Sequence, residues 1–458
     1  MGKAFRVWVP SVLAISAILA IVSAACAWAG EPTWKAGQAQ AKITPQKLFW
    51  MAGFAARTRP AEGTLHDLWL NVLALEDAQG RLGVVVTAEV VGFPKWLYDA
   101  VCRRVRQRHG LERAQIMLLA SHTHSGPVLR EALEDIYPLD ERQRALIGEY
   151  SAWLEETVVA TVAEALAKRT PATLWAGEGK AGFALNRRTN RESDLPEMLQ
   201  RGIAPKGPSD YSVPVLAVRG PDGRLRAVIY GFAAHTSALT GYQWSGDYAS
   251  FTRMALERAH LDARAAFFQG CGSDQSAAPR GTLTQCRKLG EELAASVERV
   301  LAGPMRPLGP SLRTALELVV LDFGEQPSRE YLRAVAAQPG YQARWAKRLL
   351  AEWESGKPFA KAYPEYPVQV WRLGAGQLWI ALGGEVCVDY ALSLKRRFGP
   401  TTWVAGYSND VMAYIPSRRL WEEGGYQAGA FEVYGLPAIR WCPDVEDRIT
   451  AAVTRLVE

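Results

Sequence analysis

Cysteine is scarce in this chain, 6 in 458 residues, and no two are spaced as CxxC. That argues against a zinc–thiolate centre. One cysteine, Cys26, lies in an N-terminal leader, so five remain, enough for one or two disulfides in an oxidising compartment. No block of like charge and no basic–aromatic stripe occurs. The formal net charge of +6 is spread along the chain, which excludes nucleic acid as the expected partner. No internal repeat or low-complexity linker is present, so a solenoid or a string of modules is not expected. Histidine is equally sparse at 6 residues, and two of them fall in one short segment.

What is there describes a globular protein that leaves the cytosol. Residues 1–29 read as a signal peptide: Lys3 and Arg6 form the positive start, Val7 to Ala25 the apolar stretch, and Ala27-Trp28-Ala29 the small-x-small cleavage site. An uncleaved membrane anchor is the alternative, because the apolar stretch approaches spanning length. The mature chain is expected to begin near Gly30 and to be secreted or periplasmic. Hydrophobic residues make up 48% and charged residues 22%, as in an ordinary globular domain. The load of 16 Trp and 16 Tyr suits a core and a site that receives an apolar ligand.

Periodicity predicts alternating strands and helices. Leu68–Leu75, Leu82–Thr87 and Ile116–Ala120 read as strands, and Lys95–Arg108 and Arg142–Lys168 as amphipathic helices. Val213–Val218 and Leu225–Ala233 flank Gly220-Pro-Asp-Gly223 as a hairpin; Val368–Leu373 and Gln377–Leu382 form another around Gly374-Ala-Gly376. Further helices are predicted near 248–260, 283–302, 328–355 (two), 386–398 and 444–457, with a strand over Ser311–Phe323. Hairpins and crossovers together imply an α/β fold with mixed β-sheets flanked by helices, in a single domain over residues 30–458.

Chemistry-capable side chains recur just past the ends of these strands. Ile116–Ala120 leads into His122 and His124; a strand continuing through them would send both rings to one face. His235 follows Val228–Ala234. The run Gln269-Gly-Cys-Gly-Ser-Asp274 follows Ala265–Phe268. Glu385 follows Trp379–Gly384 and is expected to open a helix, and Asn409 and Tyr414 follow Trp403–Ala405. Ligands in α/β sheets gather beyond the carboxyl ends of strands. Two or three imidazoles, a carboxylate and a phenol meeting there would suit zinc or a similar ion with a position open to water. Each residue also has a plain reading: His235 as a core histidine, Glu385 as a first-turn carboxylate, Asp274 and Asp247 as turn or cap residues. His66 would be capping or core, with His109 and His260 solvated.

These residues lie in ordered motifs: Ile43-Thr-Pro45, Met51-Ala-Gly53, Leu65-His-Asp67, Ser121-His-Thr-His-Ser-Gly-Pro127, Asn186-Arg187, Phe232-Ala-Ala-His-Thr236, Ser245-Gly-Asp-Tyr248, Gln269-Gly270 with Asp274, Gly384-Glu385, and Gly406-Tyr-Ser-Asn409 followed by Tyr414-Ile415. The set resembles the neutral/alkaline non-lysosomal ceramidase family. The resemblance implies a zinc-dependent amide hydrolase that cleaves the N-acyl bond of ceramide or a related N-acyl lipid with a zinc-activated water, in transient contact with a membrane surface. It implies His122, His235, Glu385 and Tyr414 as zinc ligands and His124 as a proton carrier. Arg187 and Tyr426 would sit near the scissile amide and Ser276 would act in catalysis. Asp67, Asp247 or backbone carbonyls would hold the free imidazole nitrogens. The chain departs from the family pattern in three places. Gly-Asp-x-Ser-Pro-Asn reads Ser273-Asp-Gln-Ser-Ala-Ala278. Asn-Arg is followed by Arg-Thr-Asn where the family has Ser-Pro. The chain also ends about where the family's catalytic domain ends, without the C-terminal immunoglobulin-like domain. Hydrolysis of another amide or ester, and a catalytically silent binding protein, are the competing readings.

Overall fold

The computed structural model describes residue 2 and residues 33–458. Apart from Gly2, the expected signal peptide lies outside the described residues. Nine strands form the larger sheet. Eight of them, β1 (Trp34–Lys42), β2 (Trp69–Glu76), β3 (Leu82–Ala88), β4 (Ile116–Ala120), β5 (Thr170–Lys180), β6 (Ser212–Arg219), β7 (Leu225–Phe232) and β8 (Arg264–Gln269), run in the order β8-β7-β6-β5-β1-β2-β3-β4. The ninth, β9 (Arg306–Leu308), pairs with β5. Only the outermost pairs, β3–β4 and β7–β8, are parallel. The second sheet orders its five strands as β13-β12-β11-β10-β14, where β10 is Leu312–Glu325, β11 Ala362–Leu373, β12 Gln377–Leu382, β13 Trp403–Ala405 and β14 Arg440–Trp441. In it only β12–β13 is parallel.

The two sheets pack face to face. Alternate residues of each strand divide between two cores, as the period of two requires. Leu73, Val85, Met117, Leu119, Leu216, Ile229 and Phe268 point to the second sheet and meet Trp371, Trp379 and Trp403. Val72, Val84, Val86, Ile116 and Leu118 point the other way, into a core shared with the helices Lys95–His109 and Glu141–Ala167. Val215, Val228, Tyr230 and Phe267 do the same beneath the helices Asp247–Ala259 and Leu283–Ala302. The outer face of the second sheet is covered by Val388–Phe398 and Val445–Val457. The layers are therefore helix, sheet, sheet, helix. Strands buried on both faces explain the near-continuous apolar runs in the sequence.

Helix ends carry their own signals. Asp140 accepts from the Gln143 N–H at 2.7 Å, Thr282 and Gln285 form a reciprocal capping box, and Gly110 closes the first helix with a left-handed φ of 68°; such caps satisfy backbone groups that the helix leaves free.

After β13 the chain crosses between the ends of β8 and β4. Gly406 N–H donates to the Gln269 carbonyl at 3.1 Å, Ala120 N–H donates to the Tyr407 carbonyl at 3.2 Å, and Asn409 N–H donates to the Leu118 carbonyl at 2.7 Å. This segment draws together the two outer strands of the large sheet. The carboxyl ends of the three parallel pairs in these two sheets then open on one place.

One expectation fails at this level. Glu385 does not open a helix. It sits in a two-residue strand, Glu385–Val386, paired in parallel with Tyr414–Ile415, and the helix starts at Val388. No disulfide forms among the described residues: Cys102, Cys271, Cys286, Cys387 and Cys442 are all free, four of them buried. Cys102, Cys286 and the pair Cys271 and Cys387 lie in three different cores, and burial pushes the Cys102 thiol up to about 12.

Candidate active site

His122 and His124 do not share a face through strand alternation. β4 ends at Ala120, and His122 adopts a left-handed φ of 57°. The turn is what brings the rings together. His122 Nδ1 lies 2.7 Å from the Val91 carbonyl, so it carries the proton and leaves Nε2 with a free lone pair. His124 is held by its backbone N–H, which donates to the Thr236 carbonyl at 2.9 Å. Its Nε2 comes within 3.1 Å of His122 Nε2. The motif glycine Gly53 has a local reason: with φ at 102°, a Cβ there would lie 2.5 Å from His124 Cγ. Phe54 packs its ring against His124 at 4.8 Å, near edge-on.

His235 follows β7 and meets the pair from the opposite side. Its Nδ1 lies 2.8 Å from the Gly272 carbonyl, which again leaves Nε2 free. Glu385 completes the group, with Oε2 at 3.2 Å from His235 Nε2 and 3.4 Å from His122 Nε2. The ring nitrogens of His122, His124 and His235 all lie within 4.8 Å of one another. Four non-glycine residues of this region, His122, Asp247, Tyr407 and Asn409, hold positive φ, each at a cost of roughly 1–3 kcal/mol. Such strain persists only where the surrounding structure over-determines it.

The electrostatics favour the deprotonated forms of His124, His235 and Glu385. Burial, then the neighbouring His122 and His235, hold the His124 imidazole well below its ordinary range. Burial and the Arg187 guanidinium bring His235 down to about 3. Burial alone would raise Glu385, but the flanking imidazoles reverse the effect and hold its carboxyl well below the usual range. Arg187 stays charged: burial opposes the charge, while Tyr414 and Glu385 beside it raise its pKa further.

The remaining expected residues divide. Arg187 follows the short strand Ala184–Asn186; its N–H donates to the Asp274 carbonyl at 2.9 Å, its guanidinium donates to the Ser273 carbonyl, and Nη2 lies 3.4 Å from His235 Nε2. Tyr414 is buried, with its hydroxyl toward Arg187 and Tyr426. Tyr426 is half-exposed at the rim, 5.1 Å from the Tyr414 ring. Ser276 is buried beside His235, joined to it by a backbone bridge, and its hydroxyl bonds none of the cluster residues. Asp274 is structural: Oδ1 accepts the Val388 N–H at 2.8 Å at the start of a helix, and burial raises its carboxyl to about 6. Asn409 is also structural, bonding Leu118 and Gln369.

Neither Asp67 nor Asp247 holds an imidazole. Asp67 pairs with Lys42 at 3.0 Å, and Asp247 accepts the N–H groups of Leu239 and Tyr248, both at 2.8 Å. Backbone carbonyls take the imidazole role. His66 is half-buried and bonded to Ser245 at 3.1 Å, and His260 pairs with Glu298 at 3.0 Å. Two tyrosines were not legible in the sequence. Tyr434 donates to Glu385 Oε1 at 2.5 Å, and the Tyr407 ring lies 4.2 Å from the His122 ring. Tyr407 stands inside the Gly406-Tyr-Ser-Asn409 motif, which is its only sequence signal; Tyr434 has none.

No protein-family model matches the sequence. A search of curated proteins finds no match either. Solved structures do match. Neutral ceramidase from Pseudomonas aeruginosa is similar with a TM-score of 0.69 at 18% identity, over 93% of this chain and 75% of that one. A ceramidase complexed with C2 gives the same TM-score and coverage at 16% identity. The chain therefore has the neutral ceramidase fold, with its histidine cluster at the carboxyl ends of that fold's parallel strands.

Proposed function

We propose that this protein is a zinc-dependent amide hydrolase, acting outside the cytoplasm on the N-acyl bond of ceramide or a related N-acyl lipid. The observation that carries the reading is the convergence of three imidazole Nε2 atoms and one carboxylate in a buried site at strand ends. Their chemistry fits the ion. Neighbouring ligand atoms on a zinc with bonds of ~2.0–2.1 Å stand about 3.3 Å apart, and Glu385 Oε2 lies 3.2 Å from His235 Nε2 and 3.4 Å from His122 Nε2. His122 and His235 present lone pairs because their other nitrogens are bound to carbonyls, the arrangement that orients metal-binding histidines. His122, His235, Glu385 and Tyr414 would hold the ion. When bound, zinc would supply Lewis acidity and lower the pKa of a water toward ~7.

The chain's own residues supply the rest. His124 is neutral, so it accepts a proton as water oxygen adds to the acyl carbon, and returns it to the amine nitrogen as the C–N bond breaks. The products are a fatty acid and a free amine. The Arg187 guanidinium, charged and next to the cluster, stabilises the negative charge that develops on the carbonyl oxygen. Tyr426 at the rim contacts the substrate as it enters. Ser276 is joined to the His235 backbone by a bridge. A substrate drawn from a bilayer or micelle requires transient contact with a lipid surface.

The test is fatty-acid release from a panel of N-acyl lipids by purified protein, before and after chelation and after zinc is restored. Turnover that is lost on chelation and returns with zinc is expected. No turnover on any amide or ester, with zinc bound, would leave a silent binding protein instead.

A further inference from the structure

Directly beyond the cluster the chain runs Arg187-Arg188-Thr189-Asn190-Arg191, where the resembled family continues from Asn-Arg into Ser-Pro. These residues and Lys206 line a cleft of about 420 Å³ whose one acidic lining residue is Asp194. Arg187 belongs to both places: it lines the cleft, and its Nη2 lies 3.4 Å from His235 Nε2. The cleft thus adjoins the site of chemistry. Arg188 is paired with Glu423 at 3.0 Å. Arg191 and Lys206 are exposed and have no ion-pair partner among the described residues. Arg187 Nε is buried without a hydrogen-bond partner.

The walls are built. Asn186 Oδ1 accepts the N–H groups of Arg188 and Thr189 at 3.1 and 3.3 Å. The Asn190 side chain donates to the Asn186 and Lys206 carbonyls, both at 2.8 Å, and accepts from Lys206 N–H at 2.9 Å. These bonds hold the Arg-rich turn against the 206–208 strand of chain. Charge that is fixed in place loses little ordering entropy when it meets a ligand.

We propose that this cleft binds an anionic group on the amine half of the substrate, such as the carboxylate or sulfonate of an N-acylated amino acid. The inference rests on the hydrolase reading for the word substrate, but the anion site itself does not. Amide hydrolysis divides the substrate into an apolar acyl half and an amine half. Apart from Asp194 and Met198, the cleft is walled by guanidinium, ammonium, hydroxyl and amide groups, which suit the second. Guanidinium forks match carboxylate and sulfonate geometry, and a neutral amino alcohol would leave them without a counter-charge.

The test has two arms on the full-length, zinc-loaded chain. In the first, calorimetry compares N-dodecylsulfonyl-glycine with N-dodecylsulfonyl-ethanolamine, whose S–N bonds are not cleaved by amide hydrolysis. The anion is expected to bind roughly tenfold or more tightly at low salt, with the preference shrinking as ionic strength rises. The Arg191→Gln/Lys206→Gln double variant should lose most of that preference while binding the neutral compound as before. Equal affinity for the two compounds, or a preference unchanged in the variant, overturns the proposal. In the second arm, turnover of N-dodecanoyl-glycine and N-dodecanoyl-taurine is compared with that of N-dodecanoyl-ethanolamine, with higher kcat/KM expected for the anions. Better turnover of the neutral compound also overturns it. If nothing is hydrolysed but the binding preference stands, the hydrolase reading fails and the anion site survives.

Discussion

His122 and His235 each give Nδ1 to a backbone carbonyl, at 2.7 and 2.8 Å, whereas His124 Nδ1 is buried with no partner at all. One ring nitrogen of each lies within 4.8 Å of the others. The difference lies in tethering. A ring fixed through its far nitrogen presents one lone pair in one direction, as a ligand must. A ring whose far nitrogen is free can take and release a proton without breaking a bond to the scaffold. Distance alone makes three ligands of the cluster; hydrogen bonding separates a floor of His122, His235 and Glu385 from a mobile-proton side formed by His124 against Phe54.

The largest effect should come from the floor. His122→Ala is expected to abolish zinc binding and reduce turnover to background, as measured by metal analysis of the purified variant alongside fatty-acid release. His124→Ala should keep about one zinc per chain and lose roughly 10²–10⁴-fold in kcat. If it loses metal as completely as His122→Ala, the tethering distinction is wrong and all three rings are ligands. Tyr434→Phe removes the hydroxyl on Glu385 Oε1 and should cost about 10–100-fold in metal affinity or activity, the usual worth of an outer partner. An unchanged zinc titration and unchanged kcat would show that Glu385 needs no such support.

The smallest effect contrasts Glu385 with a second buried carboxyl. At Asp410 burial dominates, and its carboxyl is raised to about 7, with Tyr363 donating to it. Its folded pKa therefore exceeds its unfolded value near 3.9. The resulting stability is fully present below pH ~4 and is lost as pH rises through about 7. Urea midpoints of the native chain should fall between pH 5 and pH 8 by more than those of Asp410→Asn, which carries no titrating proton. Parallel pH profiles for the two proteins would rule this out.

Much of the fold was readable because its signals are local. The hairpins at Gly220–Gly223 and Gly374–Gly376, and the helices starting near 248 and 283, appear within a residue or two of expectation. Two central strands were not readable. β1 reads Trp-Lys-Ala-Gly-Gln-Ala-Gln-Ala-Lys and β5 carries Pro171, Gly177 and Gly179. Neither has the β-branched content that marks a strand. Their small residues answer to neighbours: a Cβ on Gly37 would lie 2.1 Å from the Ala165 carbonyl of a helix, and one on Gly177 would lie 2.4 Å from a Val300 methyl. Close packing selected glycine there over strand propensity.

The site shows the same division. Which residues stand just past strand ends is a property of the sequence, and His122, His124, His235 and Glu385 could be named from it because periodicity and turn chemistry act over a few residues. Their meeting was decided by the crossing of Gly406–Asn409 between β8 and β4, and by the left-handed turn at His122. So was the choice of backbone carbonyls over Asp67 and Asp247 as their anchors, and of Tyr434 among 16 tyrosines as the partner of Glu385. Those outcomes depend on contacts between residues tens to hundreds of positions apart, and no local pattern in the chain encodes which distant surfaces will be pressed together.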